Sequence, residues 1–344
     1  MADIAKEGGF AGQIKEFFFD GPASINDVCS KLNISWATAK SALEEMKEHG
    51  EVKEIISNPK IRIFKLTNDP AFFGVPLTKK QKNDALFLFQ TIRQEWQKSK
   101  KEPLLLTTLQ KIAVDTTTKC DSNIPSAQFH YGKVVPVFEA QTPLFEIERP
   151  ANHAVILTCV REEIHSHKNN ARGEMDDQYI KYNMPLYQAK QSFKDLYRKA
   201  RNFNKDSINE FEPALVSLLM NWPVQNQDPD MFNLFSEFVK EVHGLIVTKT
   251  ISDNMDKVNE TFNILWDLVT TDLFFRDLER QINKEKKEIF EYIRSSQILS
   301  KKENAEERTN YLKLFVNSTV EINLPKDEES LEIRRILAEG AEEH

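Results

Sequence analysis

Hydrophobic and polar positions divide the chain into a short stretch with two different periods and a long stretch with one. From Ile25, apolar side chains recur at Val28, Cys29 and Leu32, the i, i+3, i+4, i+7 spacing of one buried helical stripe. Ser24, with Asp27 three residues on, forms a capping-box pattern that starts this helix. Asn33 follows, a residue that tolerates the left-handed backbone needed for a sharp turn. Ser35 then caps a second helix in which Ala39, Leu43 and Met46 share a face and which Gly50 ends. An upstream helix over Phe10 to Phe19 supplies a third wall through Ile14, Phe17 and Phe18. Beyond Gly50 the period shortens toward alternation, and the runs EVKEII and IRIFKLT on either side of Ser57-Asn58-Pro59-Lys60 predict a β-hairpin.

Asn68, Asp69, Pro70, Gly74 and Pro76 interrupt the pattern. A helix over 78–100 follows, with Leu86, Phe87, Phe89, Ile92 and Trp96 as its apolar positions. Residues 115–150, with Pro125, Pro136, Pro143 and Pro150, read as irregular apart from a short strand in KVVPVFEA. Helical period then returns over 151–168, 177–203, 206–221, 229–249, 253–296, 302–317 and 326–340. The longest run keeps Val258, Phe262, Leu265, Trp266, Val269, Leu273, Leu278, Ile282, Ile289 and Ile293 near one face, without Pro or Gly. It outruns a compact bundle, so it either breaks or projects an end that pairs with another chain. The fold class is therefore mainly α: three helices and a β-hairpin, then a large helical bundle. The division expected is 1–75, a linker helix region 76–114, a connecting segment 115–150 and a helical effector or dimerisation domain 151–344.

The two helices around Asn33 meet across a tight turn, and the small side chains of Cys29 and Ala39 let them cross closely, as a helix-turn-helix requires. With the hairpin after Gly50, the string NISWATAKSALEEMKEHGEV resembles the recognition helix and wing entry of archaeal and bacterial winged helix-turn-helix transcriptional regulators. The resemblance is confined to the N-terminal module; the C-terminal region resembles no family. It implies sequence-specific binding of double-stranded DNA, with the second helix of the turn in the major groove. Ser35, Trp36, Thr38, Lys40 and Ser41 would then face DNA, and Lys60 and Arg62 of the wing would lie along the backbone or in the minor groove. Thr38 and Ser41 suit phosphates or base edges, Lys40 a guanine or a phosphate, and Trp36 a sugar or thymine methyl. Each has a competing role: Trp36 equally suits the edge of the core, and Lys40 and Lys60 a solvated surface. A homodimer would place two recognition helices about 34 Å apart on half-sites, with the helical region dimerising or binding an effector or protein partner.

Composition sharpens this picture in three places. In 344 residues, 40% are hydrophobic and 29% charged, with 10 Gly and 14 Pro, which fits an ordered, helix-rich protein. A net charge of −7 argues against indiscriminate coating of nucleic acid. Five Glu within 44–54 keep open an alternative in which the winged helix binds protein in an assembly without touching DNA. The stretch 79–101 runs the other way, with seven Lys and Arg against Asp84 and Glu95, and its helix either extends a phosphate footprint, joins a dimer or packs on the wing.

Chemistry is sparse. Cys29, Cys120 and Cys159 give neither a disulfide framework nor a paired zinc motif, and no apolar run reaches membrane-span or leader length, so a cytoplasmic, non-membrane protein is expected. His153, Cys159, Glu162, Glu163, His165 and His167 share one expected helix, but His165 and His167 are two apart and face different sides, so no metal is expected. Asp176 and Asp177 read as a solvated helix start. No phosphate-cradling glycine loop or nucleophile motif occurs, so no cofactor and no enzymatic activity are expected.

Overall fold

The computed structural model describes residues 9–100, 102–139, 144–201, 210–223, 228–282 and 284–323. Among them the chain is mainly helical, and no helix is long and apolar enough to cross a membrane. The expected helix over 326–340 and the first residues of that over 206–221 lie outside the described residues. Two compact units emerge: residues 1–184 with 270–300, and 185–269 with 301–344. This replaces the boundary expected at 150/151.

The first elements are α1 (Gly9–Phe18), β1 (Ala23–Ser24), α2 (Ile25–Leu32), α3 (Trp36–Glu48), β2 (Val52–Ser57) and β3 (Arg62–Leu66). Ser24 Oγ accepts from Asp27 N at 3.2 Å while Asp27 Oδ2 accepts from Ser24 N at 2.7 Å, closing the capping box of α2. Asn33 turns the chain at φ 52°, ψ 47°, and Gly50 takes φ 72° after α3, where any Cβ would be strained. The strands order as β1-β3-β2, all antiparallel, with a bulge in β2 between Glu54 and Ile56. Ile14, Phe18, Val28, Ala39, Leu43, Met46, Val52 and Phe64 close one small core beneath the three helices.

The rest of the first unit is built on α4 (Lys79–Ser99), α5 (Leu106–Lys119), β4 (Ala127–Phe129), β5 (Gly132–Val134), α6 (His153–Ser166) and α7 (Ala171–Tyr182). Helix α5 lies partly in the segment expected to be irregular, because its stripe Leu109, Ile112 and Ala113 is interleaved with Thr, Gln, Lys and Asp that are themselves buried. The short strand expected within 133–140 pairs earlier, over 132–134 against 127–129. Ile112, Ile156, Val160 and Ile164 share one core with Leu86, Phe89, Ile92 and Trp96 of α4, which is why 151–184 belong with the N-terminal half. Phe274, Phe275, Leu278, Phe290 and Ile293 complete that core. Lys286 Nζ donates to Pro22 O at 3.2 Å and lies 4.1 Å from the Phe17 ring centroid, tying this segment to the N-terminal elements.

The second unit draws on α8 (Met184–Arg201), α9 (Phe211–Asn221), α10 (Pro229–Val247), α11 (Ile251–Leu278) up to Val269 and α12 (Lys287–Asn323) from Lys301. The single helix expected over 177–203 is two, α7 and α8, parted at Asn183 with Pro185 in the first turn of α8, where proline is pre-organised. The run expected over 253–296 breaks after Leu278, and α12 instead continues through the gap expected at 297–301. No residue preference marks that break. At the break Gln281 donates to Ser126 O at 2.9 Å and accepts from Ser126 N at 3.1 Å. The core of this unit stacks Phe193 on Phe262 and Trp222 on Phe235, each pair with centroids 3.6 Å apart.

Candidate functional site

On α3 the buried Ala39, Leu43 and Met46 fix which side faces outward. Ala37, Ser41, Glu44, Glu45 and Glu48 occupy the opposite side by helical period, with Trp36 and Lys40 on one flank and Thr38 on the other. Ser35 is spent on the cap: its Oγ accepts from Thr38 N at 3.1 Å and shares a hydrogen bond with Thr38 Oγ1 at 2.8 Å. Trp36 is 51% exposed, so it does not seal the core, and Lys40 Nζ sits 5.3 Å from its ring centroid. Thr38, Lys40 and Ser41 are exposed.

Across from Trp36 stands the hairpin turn. Asn58 Oδ1 accepts from Lys60 N at 2.9 Å and Ile61 N at 2.8 Å, a local clamp that holds Lys60 outward. A cleft of about 290 Å³ separates the two, lined by Ser24, Ile25 and Asn26 at the start of α2, Trp36, and the turn from Asn58 to Arg62. Asn26, exposed on this cleft, was not singled out from sequence; its only signal is its place two residues after the capping serine. Thr38 and Ser41 do not line this cleft. They face a second, wider groove of about 740 Å³ with Phe10, Glu45, His49 and Glu51. Five of the seven expected residues therefore line two different clefts, Trp36, Lys60 and Arg62 one and Thr38 and Ser41 the other.

Arg62 departs from the role expected for it. Its Nε and Nη2 donate to Glu54 at 2.6 and 2.8 Å, its Nη1 lies 2.6 Å from Glu44, and its guanidinium stacks 5.1 Å from the Phe64 ring centroid. The Arg62 hydrogen bonds hold the Glu54 carboxyl down at about 2 and push the guanidinium further up. Arg62 thus fastens β3 to α3 and β2. Replacing it with alanine is expected to cost about 1–3 kcal/mol in a urea titration, since Glu54 loses a bidentate partner in a site with little water.

The basic helix α4 is also largely occupied. Lys80 pairs with Asp84, Lys98 with Glu95 and Arg93 with Glu139, while Lys82 is enclosed with Asp69, its Nζ 3.0 Å from the carboxylate. A phosphate footprint along α4 would have to break these pairs, so the packing role of this helix is the one the geometry favours.

A third polar constellation lies within the first unit. His167 Nδ1 is 2.5 Å from Glu174 Oε2 and its Nε2 3.3 Å from Asp115 Oδ2, while Asp115 also accepts from Lys181 at 2.6 Å, Tyr182 at 2.6 Å and Gln178 at 3.0 Å. Asp115, Glu163 and His167 bring one ligand atom each to within 4.8 Å of one another, a juxtaposition across two helices that spacing within one helix could not reveal. The charges are already matched, however: Lys119 pairs with Glu162 and Glu163, and both imidazole nitrogens have carboxylate partners. Burial pushes the imidazolium down, but hydrogen bonds to Asp115 and Glu174 outweigh it and lift the group to about 9. Burial likewise raises Asp115, and its bonds from His167, Lys181 and Tyr182 outweigh that and hold it at about 2.

A pH dependence of stability follows from these values. His167, lifted above its unfolded value of 6.5, contributes fully below pH 6.5 and loses its contribution as pH rises through about 9. Unfolding free energy of the native chain is expected to fall by about 3 kcal/mol between pH 6 and pH 10 from this group, and by much less in His167→Gln, as read by urea titration at the two pH values. Asp115 acts oppositely, losing its contribution as pH falls from 3.8 through about 2.

Compared with known proteins, the chain matches no family model, no curated protein and no solved structure.

Proposed function

We propose that this chain is a sequence-specific DNA-binding transcriptional regulator, reading duplex DNA with a winged helix-turn-helix formed by α1 to α3 and the β2–β3 hairpin. The observation that carries it is the exposed N-terminal turn of α3, where Trp36 shares a cleft with the outward hairpin turn bearing Lys60 and Lys40 lies over the Trp36 ring. A helix N-terminus presents its positive dipole end, and a lysine on each side supplies phosphate contacts. Glu44, Glu45 and Glu48 require the helix to enter the groove by that first turn only, with its second half tilted away from the backbone. The helical remainder supplies dimerisation, an effector site or a partner surface.

Selection from a pool of genomic duplexes by the purified full-length chain tests this. Repeated enrichment of one shared sequence is the expected result; recovery of no duplex above background at low salt would contradict it. A second reading rests on the same three glutamates and the exposed Trp36: a winged helix that docks on a protein in an assembly. Binding to that partner would hold its affinity between low and moderate salt, whereas phosphate binding falls steeply.

A further inference from the structure

On the reverse side of the hairpin, Lys53 of β2 stands directly opposite Lys65 of β3. Like charges at directly opposed positions are destabilising, yet both side chains line one cleft of about 360 Å³. Lys65 is only 6% exposed, and its ammonium reaches just two carbonyl oxygens, Asp69 O at 3.4 Å and Ala71 O at 3.5 Å, both at the limit of a hydrogen bond. Among the described residues, no ion pair to Lys53 or Lys65 is formed; the nearby carboxylate of Asp69 is held by Lys82 and by Ala71 N. A buried ammonium with so little coordination is costly unless a further acceptor arrives.

The rest of the lining is mostly apolar, with Asp69, Ser296 and Gln297 as its polar members. The bulge in β2 brings both Ile55 and Ile56 to the cleft, Ile293 forms its floor, and Phe138 stands more than half exposed at its rim. Phe73 lines it from a left-handed backbone at φ 53°, a conformation that is strained for a bulky aromatic and is found where surrounding structure fixes a side chain in place. Gly74 next to it takes φ 74°, and a Cβ there would come within 3.1 Å of Lys65 Cδ and 3.2 Å of Ile55 Cδ1, so glycine keeps the lysine arm's channel open. Two cations together with aromatic and branched aliphatic side chains on one cleft are complementary to one ligand chemistry.

We propose that this cleft binds a small carboxylate with an apolar body, its carboxylate between the ammonium groups of Lys53 and Lys65 and its body against Ile55, Ile56, Phe73 and Phe138. The cleft volume suits a compact ligand. Burial lowers the Lys65 amine to about 8, Asp69 partly offsets this, and the charges of Lys53 and Lys82 add to it, so the empty site gives up its proton just above neutrality and an arriving carboxylate restores it. The site lies on the strand that forms the hairpin, and it stands whether or not the hairpin meets DNA.

Calorimetry on the full-length chain with phenylacetate tests this without nucleic acid. Phenylacetate is expected to bind at least tenfold more tightly than phenylacetamide, with affinity falling about tenfold between pH 7 and pH 9 as Lys65 loses its proton. Lys65→Met, a swap of similar volume in a buried position, is expected to abolish the pH dependence and to lower affinity at least tenfold. Should that variant fail to fold, Lys53→Met, at an exposed position, is expected to weaken phenylacetate at pH 7 by severalfold. Absence of phenylacetate binding at millimolar concentration, equal binding of the amide or of inorganic phosphate, or unchanged binding in the folded lysine variants would overturn the proposal.

Discussion

Asp69→Ala is expected to lower the stability of the first unit by about 3–5 kcal/mol, the largest effect of any single change considered for this chain. The Asp69 and Lys82 side chains are both fully enclosed, 3.0 Å apart, and Asp69 Oδ1 also accepts from Ala71 N at 3.0 Å. Lys82 Nζ has one further acceptor, Phe19 O at 3.2 Å, so the pair ties α4 to the end of α1 and to the turn after β3. Removing the carboxylate strands the Lys82 ammonium and takes away the charge that partly offsets the burial of Lys65. Urea denaturation followed by circular dichroism measures the loss. Lys82→Met combined with Asp69→Ala is expected to recover much of it, because replacing both partners with apolar groups leaves no unpaired buried charge. A single-variant loss below about 1 kcal/mol would mean that the pair is not enclosed as described.

Replacing both Lys40 and Lys60 with alanine is expected to weaken binding to a selected duplex by at least about 30-fold, each contact contributing about 1–3 kcal/mol. Both are exposed, one beside Trp36 on α3 and one on the turn clamped by Asn58, so neither substitution removes a buried contact and the fold is expected to survive. Arg62→Ala provides the contrast: it costs stability through Glu54 and Glu44 while leaving Lys40 and Lys60, the proposed contacts, in place. Fluorescence anisotropy with a labelled duplex measures all three proteins. Equal loss in the Arg62 variant and in the double lysine variant would point to folding, not contact, as the common cause.

Local rules located much of the N-terminal geometry. Ser24 with Asp27, Asn33 and Gly50 each sit where capping and left-handed backbone demand them, because those constraints act within a few residues. Longer-range outcomes were not legible in the same way. Trp36 suited core edge and surface equally in the pattern, and in the fold it stands half in solvent. Arg62 read as a free wing cation because its partners, Glu44 and Glu54, sit on other elements that pattern alone does not bring together. The basic run of α4 was emptied in the same manner by Asp69 and Glu139, and within the helix by Asp84 and Glu95. Helix α5 was hidden because Lys111 and Asp115, polar in sequence, are buried against distant partners: Lys111 donates to Tyr131 O and Lys133 O, and Asp115 receives His167, Lys181 and Tyr182. Likewise the opposition of Lys53 and Lys65 depends on a bulged register, and one residue of slip would send them to different faces.

The most direct measurement of the central claim is the salt dependence of the full-length chain's affinity for a genomic duplex pool between 50 and 200 mM salt. Contacts from Lys40 and Lys60 alone release about two counterions, so the logarithm of the association constant is expected to fall with the logarithm of salt at a slope of about −1.8 or steeper, and less steeply by that amount in the double alanine variant. No binding at 50 mM salt, or a slope that the double variant leaves unchanged, would contradict DNA recognition through this face.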